Sequence, residues 1–409
     1  MRNNVIKCNG EVFVALFLIA LFSFTISFAI LSITTALIIL FFLSQYRFDL
    51  IKIVKVIFKE KFAAVLFLYV CAQFIGIFYS SNSTEAFRLA LTSLPLAFIP
   101  AFIFNTKFTP KIKRALNEGI KISVLAPIII LFLGYILAND GRSIAYFVNF
   151  SINQGKGISQ FYLVFVLILP LLLSIKAIAL RQNILWNFCV ILLSLFFIFL
   201  MKNITSLMLL FLSLLFMFIY LNKKKPINIK LIFALIVSVS VALGSFALKD
   251  KILTLWKASD TSWETIVTKN RITHTSNSLE HRIIINVLAT KIIFKNIPFG
   301  VGTGDFQKEL NSAYEELGFK AGIREKYNAH NQYMAEFLKT GILGGALFIF
   351  TILLLLNQIS INKPIFSALI TFLAIACFLE SYLERQHGVF VLSILIPIVN
   401  AFEKKQLNN

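Results

Sequence analysis

Apolar residues run almost unbroken from Val12 to Leu43 and return in blocks at about 62–80, 86–104, 119–138, 158–175, 184–201, 204–221, 231–248, 334–356, 364–380 and 387–402. Blocks of this length suit helices that cross a hydrocarbon core of about 30 Å, which takes roughly 20 residues each. The first stretch is too long for one crossing and reads as a hairpin of two, giving twelve spans in all. Arg2 and Lys7 open it like a signal peptide, but no small-residue cleavage site closes it.

The polar links carry the orientation. One set of link positions holds 21 Lys and Arg residues, whereas the short links of the opposite set hold Arg88, Arg142, Lys156, Lys202 and Arg385. The positive-inside rule then places both termini in the cytoplasm. A single span over 12–43 would strand Arg2 and Lys7 outside, which favours the hairpin. The same parity puts the one long link, 249–333, on the outer face. The chain is thus expected to divide into spans one to nine (1–248), a large outer loop (249–333), and spans ten to twelve with a short cytoplasmic tail (334–409).

That loop has the marks of order. It carries 12 Lys and Arg against 9 Asp and Glu, and three of the chain's four histidines. Ser278–Asn296 shows apolar positions near helical spacing, with Ser278 or Asn277 available as a cap and Pro298 as a stop. The run G-V-G-T-G-D at 300–305 makes a turn into a second helical pattern, Phe306–Leu317. A helical extracytoplasmic cap over an all-α membrane bundle is the simplest picture.

Composition agrees. With 58% hydrophobic residues, 14% charged and a mean hydropathy of +0.83, the chain is a polytopic membrane protein. The net charge of +20 is mostly a topology signal, so no nucleic-acid partner is implied. Its 44 phenylalanines are spread along apolar runs and suit lipid and interhelical packing. Cys8, Cys71, Cys189 and Cys377 show no paired spacing and suggest neither a disulfide frame nor a metal site.

Candidate chemistry lies where the loop re-enters the bilayer, in Y-N-A-H-N-Q-Y-M-A-E-F-L-K-T-G-I-L-G-G at 327–345. His330 is either an ordinary loop histidine, with Asn328 or Asn331 capping the next helix, or an imidazole that orients or deprotonates a hydroxyl nucleophile. Tyr333 can share its face; Glu336 lies about 240° further round a helix and reads as structural. Arg282, on the loop helix, is either solvated or a fork for a pyrophosphate, with His281 and the amides of the 300–304 turn as possible helpers. Charged residues are scarce in the middle of the spans: Arg88, Glu336, Lys339, Glu380 and Glu384 all fall toward outer ends. That argues against a flippase or ion-coupled transporter. No metal motif or cofactor signature appears, and ATP use does not fit an outer face.

The runs R-I-I-I-N-V-L-A-T-K-I-I-F-K-N-I-P-F-G-V-G-T-G-D-F at 282–306, H-N-Q-Y-M-A-E-F-L-K-T-G-I-L-G-G at 330–345 and E-S-Y-L-E-R-Q-H-G-V-F at 380–390, with the late outer loop, resemble the O-antigen ligase and polymerase superfamily. The resemblance is specific over 278–390 and topological before it. It implies a GT-C-like glycosyltransferase of the inner membrane. Such an enzyme moves a glycan from undecaprenyl diphosphate to an acceptor hydroxyl on the periplasmic side, by inversion, without metal or ATP. Ligases use lipid A core as acceptor and polymerases another lipid-linked repeat; a protein O-oligosaccharyltransferase shares the scaffold. By motif position His330 and Arg282 take the catalytic places; their neighbours Asn331, Tyr333 and His281, and the outer-face cations Lys202, Arg88 and Arg385, are the substrate-binding candidates. Where ligases carry a further arginine this chain has F-L-M-K-N-I-T-S, and Lys202 cannot make a bidentate contact.

Overall fold

A computed structural model of the chain describes residues 10–106, 108–137, 160–201, 204–224, 262–272 and 278–403, and every regular element among them is helical. Among the described residues seven helices are long and apolar enough to cross a membrane, and four shorter ones, Gly10–Ser23, Lys61–Ile75, Ile184–Leu200 and Pro364–Leu379, are mainly apolar. These account for eleven of the twelve expected spans; the block at 231–248 lies outside the described residues. The first apolar stretch is two helices, α1 (Gly10–Ser23) and α2 (Phe28–Gln45), with Ser27 capping the second through the Ile30 N–H. The hairpin reading is therefore the observed one.

Further along run α3 (Leu50–Lys59), α4 (Lys61–Ile75), α5 (Ser83–Asn105), α6 (Pro110–Leu137), α7 (Gln160–Ala179), α8 (Ile184–Leu200) and α9 (Ile204–Lys224). The cap comprises α10 (Trp263–Ile272), α11 (Ser278–Lys295), α12 (Phe306–Leu317) and α13 (Lys320–Glu325). Then come α14 (Gln332–Leu356), α15 (Pro364–Leu379) and α16 (Gln386–Glu403), the last with one π-helical turn at Val391–Leu395.

Ion pairs and hydrogen bonds sort the two ends of the bundle. At one end Lys111 meets Glu11, Lys176 meets Glu403, and Lys363 donates to Asn400. At the other, the cap sits on the starts of α5 and α14. Its apolar core of Ile284, Ile285, Leu288, Phe306, Leu310, Tyr314 and Phe319 is continuous with Leu89 of α5 and with Ala335 and Leu338 of α14. Asp305 fastens the joint by accepting from Ser81 N at 2.5 Å, Ser81 Oγ at 2.8 Å and Asn82 N at 3.0 Å.

The glycine turn has a structural use that its sequence does not disclose. Helix α14 is broken at Thr340 (φ −130°) and Gly341 (φ +60°, ψ −144°), which frees the backbone groups around the kink. Residues 298–302 take them up: Val301 N donates to Leu338 O, Gly302 N to Lys339 O, and Ile342 N to Pro298 O, at 2.8–3.0 Å. Gly304 N goes to Ser80 Oγ and Thr303 N to Gly76 O. The amides expected to approach an anion are thus spent on other parts of the chain, and the turn is a splice joining α4, α5 and α14.

Candidate active site

Four segments converge at the cap end: the 325–330 loop, the start of α12, the start of α5, and residues 380–385 between α15 and α16. They enclose a cavity of about 410 Å³ whose walls include Arg88, Tyr327, Asn328, His330, Glu380, Glu384 and Arg385.

His330 is placed by its neighbours. Its backbone is left-handed (φ +44°), which is uncommon outside glycine, and its N–H donates to Asn328 Oδ1 at 3.0 Å. Asn328 Nδ2 donates in turn to Glu384 Oε2 at 3.0 Å, tying the loop to the 380–385 segment. Asn331 returns to an extended conformation and caps α14 through the Met334 N–H at 3.2 Å. The His330 ring stands 5.6 Å from that of Tyr327, and its Nδ1 lies 3.5 Å from Glu380 Oε1.

Arg282 reaches the same place from behind. Its Nη1 donates to Leu379 O and, at 3.5 Å, to His330 O. One guanidinium edge therefore joins the end of α15 to the histidine loop, and Arg282 does not line the cavity. Arg88 does line it, 60% exposed, and makes a two-point ion pair with Glu85 at 2.5 and 2.7 Å.

The two carboxyls at the cavity wall differ in charge preference. Burial pushes the Glu380 carboxyl up, but the His330 contact, with Arg282 and Arg385 nearby, outweighs it and leaves the group below the usual carboxylate range. Burial raises Glu384, and Glu380 and Glu336 add to the rise against Lys339 and the Asn328 amide. For Arg282, burial lowers the guanidinium and Glu380 opposes it.

The structure brings together His330, Arg88 and Arg385 on the cavity wall, with Arg282 one layer behind. Of the other candidates among the described residues it brings in none. Tyr333 Oη donates to Ala374 O at 3.0 Å, with its ring 4.3 Å from Phe378. His281 is buried against Phe319 and Tyr327. Asn331 is spent as a cap, and Lys202 lies outside the described residues. Glu336 is fully buried, accepting from Gln73 Nε2 at 2.6 Å and from Gln332 Nε2, away from His330. Asn328, Glu380 and Glu384 are the site residues that spacing did not single out. The acidic pair of E-S-Y-L-E-R-Q was visible, but nothing local linked it to a histidine fifty residues earlier.

Residues 188–349 match the family model Wzy_C, described as O-antigen ligase. The matched segment contains Arg282 and His330 and stops before Glu380 and Arg385. No curated protein matches the chain. The domain supports glycosyltransferase activity of the O-antigen ligase and polymerase type in general, with lipid-linked glycan and lipid partners as a class.

Proposed function

We propose, from the match of residues 188–349 to the O-antigen ligase family model, that the chain moves a glycan from undecaprenyl diphosphate to an acceptor hydroxyl at its cap end, most simply as a ligase onto lipid A core. The observation that carries this reading is His330 on the wall of a 410 Å³ cavity beside Arg88 and Arg385. The cavity stands at the end of the bundle opposite Lys111, Lys176 and Lys363. By the positive-inside rule that end faces the periplasm and the termini the cytoplasm.

The chemistry balances without a further reactant. The acceptor oxygen attacks the anomeric carbon as the bond to the diphosphate oxygen breaks, the bonding pair leaves on undecaprenyl diphosphate, and the hydroxyl proton passes to the imidazole of His330. A positioned base contributes about 10²–10⁴-fold. Arg88 and Arg385 face the charge that grows on the leaving group; one preorganised charge-stabilising donor is worth about 10²–10³-fold. The Arg282 guanidinium, occupied with two carbonyls, acts on the histidine loop in this arrangement. Both carbonyls are held by Nη1, and Arg282 is not on the cavity wall.

Deleting the gene in its host and examining surface glycans tests the class and separates its members. Lipid A core without glycan indicates a ligase, and core bearing a single repeat indicates a polymerase. Intact glycolipid with unglycosylated protein indicates an oligosaccharyltransferase. Unchanged glycans on lipid and protein alike contradict the reading. Transfer by the purified protein is expected to survive a chelator. Inhibition that one divalent ion reverses would sink the metal-free mechanism.

A further inference from the structure

We infer that Glu380 is the positioning residue of His330, fixing the imidazole as the Nδ1–H tautomer so that Nε2 presents its lone pair to the cavity. The inference deepens the proposed transferase reading and rests on it. Three observations carry it.

Nδ1 of His330 is sealed from solvent and faces Glu380 Oε1 at 3.5 Å, whereas the side chain as a whole is 25% exposed. The accessible edge of the ring is therefore the Nε2 side. A bare Nδ1 in that position would set a lone pair against a carboxylate oxygen; an N–H there meets an acceptor. In a neutral imidazole one nitrogen carries the proton and the other the lone pair, so a proton held at Nδ1 leaves Nε2 as the base.

Glu380 is also suited to stay ionised although its side chain is only 16% exposed. His330, Arg282 and Arg385 stabilise its charge against burial. A neutral carboxylic acid would hold the imidazole less firmly and could turn an O–H toward it.

The backbones of the two partners are fastened to one another. Arg282 Nη1 binds the carbonyl of His330 and that of Leu379, the residue before Glu380. One side chain thus sets the separation of base and carboxylate, on the side remote from the cavity. The 3.5 Å contact is long for a hydrogen bond, as catalytic contacts often are before substrate closes the site.

The experiment uses the full-length protein in proteoliposomes with its host's lipid-diphosphate-linked glycan, comparing wild type, E380Q, H330A and the double variant. E380Q is expected to lower kcat about 10²-fold with donor KM within about twofold, and E380D to recover part of the loss. In the H330A background E380Q should cost nothing more, because residues acting as one unit do not add. Wild-type protein labelled with 15N-histidine supplies a readout that needs no stable Glu380 variant: the resonance that H330A removes should be that of an Nδ1–H tautomer.

An inactive H330A beside an E380Q within twofold of wild type overturns the pairing and leaves the transferase reading standing. So does an Nε2–H tautomer at His330, or an additive loss in the double variant. A near-wild-type H330A overturns His330 as the base and the pairing with it, whereas wild-type protein that transfers no glycan to any acceptor overturns the transferase reading itself.

Discussion

Beneath the cavity three ionisable side chains meet with little solvent: Lys339 Nζ lies 3.5 Å from Glu336 and 3.7 Å from Glu384, at side-chain exposures of 5%, 0% and 11%. Removing one partner of a buried pair costs more than the pair contributes, because it leaves uncompensated charge. Lys339→Met strands two carboxyls and is expected to cost about 3–5 kcal/mol, read as a lower melting temperature in detergent. Glu380 and Glu384 predict opposite pH responses. The depressed Glu380 contributes stability above its ordinary value of 4.5 and loses it as pH falls through the folded value, so E380Q should be less stable than wild type at neutral pH, with the gap closing in acid. The raised Glu384 contributes stability that is full below 4.5 and is lost as pH rises through its folded value, so E384Q should gain on wild type as pH climbs. Melting curves across pH check both signs; two variants that track wild type throughout would contradict the assignment.

At the scale of elements, the splice between residues 298–304 and the kink of α14 decides where the histidine loop can sit. Gly341 has φ +60°, and a Cβ there would run into Pro298 O; a Cβ on Gly300 would lie 2.6 Å from Gly341 N. Gly341→Ala therefore combines backbone strain of about 1–3 kcal/mol with a clash against main chain that cannot swing aside. It is expected to lower both thermal stability and transfer. Gly134→Ala in α6, with open space around the new Cβ, should be neutral or slightly stabilising, and serves as the control in the same melting assay.

These elements also show what was legible in the sequence. Hydrophobic block length and the Lys/Arg count located the spans and the hairpin, and helical spacing bounded α12 at Phe306–Leu317. The use of the 300–304 amides was not legible, because a glycine turn reports permitted backbone angles and not the groups its N–H atoms will meet. Nor was the approach of Glu380 to His330, or of Arg282 to both carbonyls, since each is made by helices returning to one end of the bundle. Local periodicity says which face a residue occupies and not which distant residue shares the cavity.

At the scale of the whole molecule, the described residues Lys111, Lys176 and Lys363 lie at one end and the cap and cavity at the other, so the proposal commits to a direction. With Cys8, Cys71, Cys189 and Cys377 replaced, a cysteine at the exposed position Lys320 of the cap should react with a membrane-impermeant thiol reagent in intact cells. One at exposed Lys52 of α3 should react only after lysis. The reverse pattern would put the cavity on the cytoplasmic side. The central claim, that this cavity transfers a glycan with His330 as its base, is tested most directly by the rate of His330→Ala, purified, folded and supplied with a lipid-diphosphate-linked glycan and acceptor. A fall of about 10²-fold or more at unchanged melting temperature is the result expected. A rate within twofold of wild type contradicts it.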